Sequence, residues 1–280
     1  MTLINFTKMH GLGNDFVILD YEEYKKSGLS ADKLAERLCR RNFSVGADGL
    51  IIVNPYVKET DTGWIFYNSD GSIAQMCGNG IRCFAKYVYK KGIVNKKIFS
   101  VMTEAGVIKP ELLGNGQVRV NMGAPVLIPS KIPVKTADNL NFKITALDKT
   151  FTANAVSMGN PHCVIFQDAD TKAYAAKYGQ SIENNPMFPE KTNVEFVKIL
   201  SRSEINLDVW ERGCGITLAC GTGACASAAA GILNGLLDEK VKVNLPGGAL
   251  IIEWNGNENK NAPVFMTGGA EFVFDGRIEV

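Results

Sequence analysis

Much of what would signal a membrane, a nucleic-acid partner or a cofactor is missing from this sequence. No apolar run approaches the ~20 residues that a membrane-spanning helix requires. The segment Met1-Thr-Leu-Ile-Asn-Phe-Thr-Lys8 has no charged n-region, apolar h-region or small-residue cleavage site, so a cytoplasmic protein is expected. Neither sign of charge is in excess: 30 Lys+Arg face 29 Asp+Glu, a net charge of +1. That balance excludes the basic footprint of a nucleic-acid binder and the like-charge block of a membrane-surface protein. The seven cysteines form no Cys-x-x-Cys pair, so neither a redox motif nor a zinc knuckle is announced, and in the cytoplasm they are expected to stay reduced. No lysine-containing phosphate motif and no metal-ligand spacing occurs, so no cofactor is expected. Histidine is scarce, with only His10 and His162.

What is present is ordinary in bulk and informative in pattern. Apolar residues make up 46% and charged residues 21%, as in a globular protein, and 280 residues predict two domains. Two segments resemble each other, Cys77-Gly-Asn-Gly-Ile-Arg-Cys83 and Cys220-Gly-Thr-Gly-Ala-Cys225. Each is Cys-Gly-x-Gly leading into a helical pattern. Their flanks match as well: Asn14 in Gly-Asn-Asp-Phe-Val-Ile corresponds to Asn160 in Gly-Asn-Pro-His-Cys-Val-Ile, and Asn68 to Glu211, at an offset of 143 to 146. Strands are expected at 16–20, 50–54 and 64–67 and again at 162–166, 194–199 and 205–210. Helices are expected from Ser30 to about Arg40, from about Asp170 to Tyr178, and after each motif cysteine. Ala31, Leu34, Ala35 and Leu38 carry the 3.6 period behind an N-cap serine. The segment from Ala224 to Leu236 is apolar on every face and should be buried, while the helix after Cys77 should stop at Gly92. The expected architecture is α+β: two pseudo-symmetric domains, each a strongly curved, mostly antiparallel sheet wrapped around a central helix. The first spans 1–122 with a returning strand at 267–280, the second 123–266.

Two cysteines at two helix starts make a chemical statement. Inverting an amino-acid α-carbon removes a proton from one face and delivers one to the other, and a lone base tends to return the proton where it came from. A helix N-terminus lowers a thiol's pKa, so such a thiol serves as acid or base near neutral pH. Gly78, Gly80, Gly221 and Gly223 leave backbone N–H groups uncovered where an anion is favoured, ready for the charge that develops on a substrate carboxylate. Cysteines are commonly buried and inert, and that reading suffices for Cys39, Cys83, Cys163 and Cys225. Cys214 is ambiguous, because it has no counterpart in the repeat. For Cys77 and Cys220 inert burial does not explain why one motif recurs with matched flanks. His162 is placed to tune a thiol's ionisation, and His10 reads as structural.

These residues also resemble a known family. Lys8-Met-His-Gly-Leu-Gly-Asn-Asp-Phe16, Asn68-Ser-Asp-Gly, Met76-Cys-Gly-Asn-Gly-Ile-Arg-Cys83, Ser157-Met-Gly-Asn-Pro-His-Cys163, Glu211-Arg-Gly and Ala219-Cys-Gly-Thr-Gly-Ala-Cys225 are similar to bacterial diaminopimelate epimerase. The resemblance implies cofactor-independent interconversion of LL- and meso-diaminopimelate for lysine and cell-wall precursor synthesis, by a homodimer, with Cys77 and Cys220 as the thiol pair. It implies that Gly78, Asn79, Gly221 and Thr222 hold the reacting carboxylate. Asn68, Asn160, Asn193 and Arg212 would grip the far carboxylate and Glu211 the far amine, while Asn14 lines the pocket. His162 and Glu211 would adjust thiol ionisation. This chain departs from many relatives at Ile216 and from some at Gly49. A proline or hydroxyproline racemase is the alternative enzyme, although it needs no distal grip. A thiol-based metal or redox sensor is the alternative outside enzymes, although the cysteine gaps do not match zinc spacing.

Overall fold

A computed structural model describes residues 2–74 and 76–280. The first half of the chain forms β1 (Leu3–Gly11), β2 (Asn14–Asp20), α1 (Tyr21–Ser27), α2 (Ala31–Cys39), β3 (Gly49–Asn54), β4 (Thr62–Asn68), α3 (Gly78–Lys90), β5 (Val101–Thr103), β6 (Gly106–Ile108), β7 (Glu111–Leu112) and β8 (Val118–Asn121). The second forms β9 (Phe142–Ala146), β10 (Lys149–Ser157), β11 (Pro161–Phe166), α4 (Thr171–Glu183), β12 (Asn193–Ser201), β13 (Glu204–Glu211), β14 (Gly215–Ile216), α5 (Gly221–Leu233), β15 (Lys240–Leu245), β16 (Gly248–Glu253), β17 (Phe265–Gly268) and β18 (Glu271–Glu279). Among the described residues no helix is long and apolar enough to cross a membrane.

The chain divides into two compact units, Met1–Val120 with Gly268–Val280, and Asn121–Thr267. In the first, the strand order is β18-β1-β2-β3-β4-β5-β6, so the C-terminal strand closes the sheet against β1. In the second, the order runs β17-β16-β15-β13-β12-β11-β10-β9, with β14 beside β13. The repeat is visible in strand direction. From β1 to β6 the successive pairings are antiparallel, parallel, antiparallel, parallel, antiparallel. From β10 through β11, β12, β13 and β15 to β16 the sequence is the same. The parallel steps need crossovers. In both units the first crossover carries a helix, α2 or α4, and the second carries the motif helix, α3 or α5. The α+β class and the mostly antiparallel sheets agree with the expectation from sequence.

Local sequence explains most elements. α2 buries Ala31, Leu34, Ala35 and Leu38 as one stripe, and Ser30 takes the extended N-cap conformation without a side-chain cap bond. α3 ends as expected: Gly92, at φ 71°, closes the last turn by donating to the Tyr89 carbonyl. α5 is buried nearly all round, because Ala, Gly, Ser and Cys let β10, β11, β12, β15 and β16 approach it closely. It starts at Gly221, immediately after the cysteine, rather than at Ala224.

Other elements escape local reading. The sequence places the first strand at Phe16, whereas β1 already occupies Leu3–Gly11 between β2 and β18. The helix expected to end near Tyr178 continues to Glu183, through a glycine that locally reads as a stop. Gly179 is there for packing: a Cβ added to it would lie 2.5 Å from Cβ and Cγ of Trp210 on β13. Neither the helix backbone nor a buried indole yields easily, so Gly179→Ala is expected to cost about 1–3 kcal/mol through overpacking. Urea unfolding of the variant measures this. A midpoint equal to that of the parent chain would show that Trp210 relocates freely.

Candidate active site

Each unit arranges polar groups around its own motif cysteine. In the first, Cys77 is the N-cap of α3 in an extended conformation, and the Gly80 N–H donates to its sulfur at 3.4 Å. The Cys77 thiol donates to Asn14 Oδ1 at 3.5 Å, and Asn79 Nδ2 donates to the same oxygen at 3.2 Å. Both amides are held by charged groups behind them. Asn14 Nδ2 donates to Asp48 Oδ2 at 2.6 Å, which turns the Asn14 oxygen toward the thiol. The fully buried Arg82 donates to Asn79 Oδ1 at 2.9 Å, to the Gly78 carbonyl at 3.0 Å and to the Gly269 carbonyl at 3.0 Å. Its guanidinium thus braces the first turn of α3 and ties it to the start of the C-terminal strand.

The support extends one layer further. Arg41 bridges Asp15 at 2.6 Å and Asp48 at 2.7 Å, and the buried Lys8 pairs with Asp15 at 2.6 Å. Burial alone would raise Asp15, but hydrogen bonds from Arg41 and Lys8 outweigh it and hold the carboxyl below its ordinary 3.8. A carboxyl depressed in the folded state stabilises fully above its unfolded value, and that stability is lost as pH falls through the folded value. The urea midpoint is therefore expected to decline as pH drops below about 4, and Asp15→Asn should flatten that limb. Equal acid slopes for both proteins would remove Asp15 from this account.

The second half is organised differently. Cys220 is the N-cap of α5, only 5% exposed, with its sulfur 3.5 Å from Thr222 Oγ1. Burial, followed by the nearby carboxylates Glu211 and Glu195, pushes its thiol well above the ordinary 9.0, so it rests protonated at neutral pH. His162 and Glu195 are both fully buried, with Nδ1 2.7 Å from Glu195 Oε1, and the other ring nitrogen lies 3.0 Å from Asn160 Oδ1. Burial raises the Glu195 carboxyl, His162 partly offsets this, and Glu195 Oε2 has no hydrogen-bond partner among the described residues.

The residues expected at the site fall into two groups. Asn14, Cys77, Gly78 and Asn79 come together in the first unit, and Asn68 ends β4 with its Nδ2 on the Ser72 hydroxyl at 2.9 Å. In the second, parallel pairing of β11 with β12 sets His162 opposite Asn193. The Asn193 amide donates to the Pro161 carbonyl at 2.8 Å and accepts from the Arg212 N–H at 2.9 Å, so both contacts brace backbone. Arg212 donates to the Glu190 carbonyl at 3.0 Å, and Thr217 donates to Glu211. Gly221 and Thr222 form the first turn of α5. Cys39 and Cys83 are buried thiols raised to about 12 by desolvation, and burial pushes the Cys163 thiol well above its ordinary value, so all three are inert core. Cys214 is exposed.

Three supporting residues were not singled out from sequence. Arg82 lies inside the quoted motif, but its place in the second copy is taken by Cys225, which hides it from a search for matched residues. Glu195 is a lone acid in the otherwise apolar Val194-Glu-Phe-Val197, and a single charge within the buried first half of β12 was the available signal. Asp48 carries no local mark, because its role comes from the pairing of β2 with β3.

A family model described as diaminopimelate epimerase matches residues 6–128 and 154–273. A diaminopimelate epimerase of Halothermothrix orenii is 50% identical over 286 residues, covering 99% of this chain and 98% of its own. One from Carboxydothermus hydrogenoformans is 50% identical over 277 residues, covering 98% of each. Among solved structures, a Bacillus anthracis phenazine biosynthesis protein of the PhzF family aligns at TM-score 0.73 and 14% identity over the whole of both chains. A hydroxyproline epimerase from Agrobacterium vitis aligns at TM-score 0.72 and 11% identity, covering 99% of this chain and 94% of that one. At such identities the structural likeness speaks to the fold alone.

Proposed function

The chain belongs to the diaminopimelate epimerase family, and from that premise we propose that Cys77 and Cys220 are the two acid/base groups of the reaction. The activity is epimerisation of LL-diaminopimelate to meso-diaminopimelate, in lysine and peptidoglycan precursor synthesis. One thiolate takes the α-proton from one face of the substrate carbon. The other cysteine, as the thiol, delivers its proton to the opposite face. The two sulfurs exchange protonation states with each turnover.

One observation carries this reading: the two cysteines occupy the same N-cap position of equivalent helices in a duplicated fold. The first-turn N–H groups of a helix have no intrahelical acceptor. Those of Gly78 and Asn79, and of Gly221 and Thr222, are therefore the groups assigned to the substrate carboxylate as charge develops on it. Asn68, Asn160, Asn193, Arg212 and Glu211 are assigned to the distal end, whose binding energy orients the reacting carbon. A homodimer in the cytoplasm, working without pyridoxal phosphate, completes the proposal.

The test is incubation of LL-diaminopimelate with the purified chain in deuterium oxide, with no cofactor added. Formation of the meso isomer carrying one α-deuterium is expected. Absence of inversion, or inversion that requires added pyridoxal phosphate, would overturn the proposal.

A further inference from the structure

The two halves differ at one matched place, and the difference falls on titratable groups. In the first unit β2 pairs with β3 in the register Phe16↔Gly49 and Ile18↔Ile51. In the second β11 pairs with β12 in the register His162↔Asn193 and Val164↔Glu195. His162 therefore stands where Phe16 stands, and Glu195 where Ile51 stands. The motif glycines agree: a Cβ on Gly80 would meet Ile51 Cδ1 at 3.4 Å, and one on Gly223 would meet Glu195 Oε1 at 2.8 Å. Phe16 and Ile51 are buried core residues, so the fold itself is satisfied by an apolar pair there. Burying histidine and glutamate instead costs desolvation that apolar packing does not incur.

The equivalent asparagines are also held opposite ways round. Asn14 gives its NH2 to Asp48 and turns its oxygen into the site. Asn160 gives its oxygen to His162. Its NH2 then has no protein acceptor among the described residues.

We infer that His162 and Glu195 are a buried proton-sharing pair that fixes the Asn160 amide, so that its NH2 is presented to the substrate's far carboxylate, and that Glu195 is thus a positioning residue. This rests on the epimerase reading above. Two protonation patterns leave the pair neutral overall: a protonated Glu195 donating to Nδ1 of neutral His162, or an imidazolium donating from Nδ1 to the carboxylate. In both, Nε2 carries a proton and donates to Asn160 Oδ1. The third pattern, a carboxylate beside a neutral imidazole protonated only at Nδ1, buries a net negative charge. That charge would face Glu211 on β13 as well as Cys163 and Cys220, with Glu195 Oε2 unsatisfied. It would also turn Nε2 into an acceptor and release the amide to rotate. The neutral pair prevents this.

The test uses the full chain. The expected KM for LL-diaminopimelate rises at least about tenfold in Glu195→Met, because one distal hydrogen bond is lost from binding. Glu195→Gln, whose amide still donates to Nδ1, is expected to bring KM back to within about threefold of the parent chain. Equal KM increases in both variants, or none in Glu195→Met, would overturn the inference. Imidazole ¹⁵N spectra give a readout independent of activity and folding of the Met variant, since only two histidines are present. Nε2 of His162 is expected to stay protonated in the parent chain and in Glu195→Gln; an unprotonated Nε2 in the parent would overturn the inference. A parent chain with no turnover would instead sink the epimerase reading, leaving the spectra to decide this one.

Discussion

Cys77→Ala and Cys220→Ala are each expected to lose epimerisation by at least about 10³-fold while folding normally, since positioned proton transfer is worth roughly 10²–10⁴-fold and the second base has no substitute. Each side chain projects from an N-cap, Cys77 half-buried and Cys220 buried, and alanine keeps the Cβ while removing only the sulfur. The two losses should not add in the double variant, since removing either thiol already breaks the two-face transfer. One residual activity is diagnostic. A variant with a single thiol can still remove the α-proton from one stereoisomer and return it to the same face. Exchange of α-hydrogen for solvent deuterium without inversion is therefore expected from one isomer and not the other. Chiral chromatography with mass detection reads both quantities together. Near-normal inversion by either variant would remove that cysteine from the chemistry.

The second large effect separates the two halves by one matched substitution. In Gly223→Ala the new Cβ lies 2.8 Å from Glu195 Oε1 and 3.3 Å from Cys220 Sγ. The carboxylate cannot swing away, because its other contact is the 2.7 Å bond to His162 in a fully buried site. Either that bond or the position of the sulfur gives way. A shift of about 1 Å at a reacting group costs on the order of 10²-fold in rate, and that is the expected loss in kcat/KM. In Gly80→Ala the corresponding contacts are 3.3 Å to the Trp64 ring and 3.4 Å to Cys77 Cβ and Ile51 Cδ1. Those neighbours need yield only a few tenths of an ångström, so the expected loss is about tenfold at most. Parallel kinetics on the two variants give the comparison. Equal losses would mean that the acid beneath Gly223 matters no more than the isoleucine beneath Gly80.

The duplication was legible because it is written in residue types that recur at a nearly constant offset, 143 to 146. Two Cys-Gly-x-Gly turns, two Asn loops and two runs of Val, Ile and Phe need no tertiary information to be matched. The stripe of α2 and the all-round apolar α5 were legible for the same reason, since helix period and burial are encoded locally. Strand β1 was not legible, because one of its two partners, β18, lies at the far end of the chain. The last turn of α4 was hidden behind Gly179, whose purpose lies in Trp210, on a different element.

The candidate site divides along the same line. Residue identity alone singled out the thiols and the glycines, because the chemistry of proton transfer and anion binding demands those groups in sequence-local motifs, whereas the loop asparagines were assigned only through the family resemblance. Which way each amide faces, and which charge stands behind each thiol, depends on groups brought together by sheet register. Asp48 reaches Asn14 only through the pairing of β2 with β3, and Glu195 reaches His162 only through that of β11 with β12. A repeat can therefore be read from one dimension. Its asymmetry, with oxygen presented by Asn14 and NH2 by Asn160, arises from hydrogen bonds between strands that are distant in the chain, and these exist only once the sheets have formed.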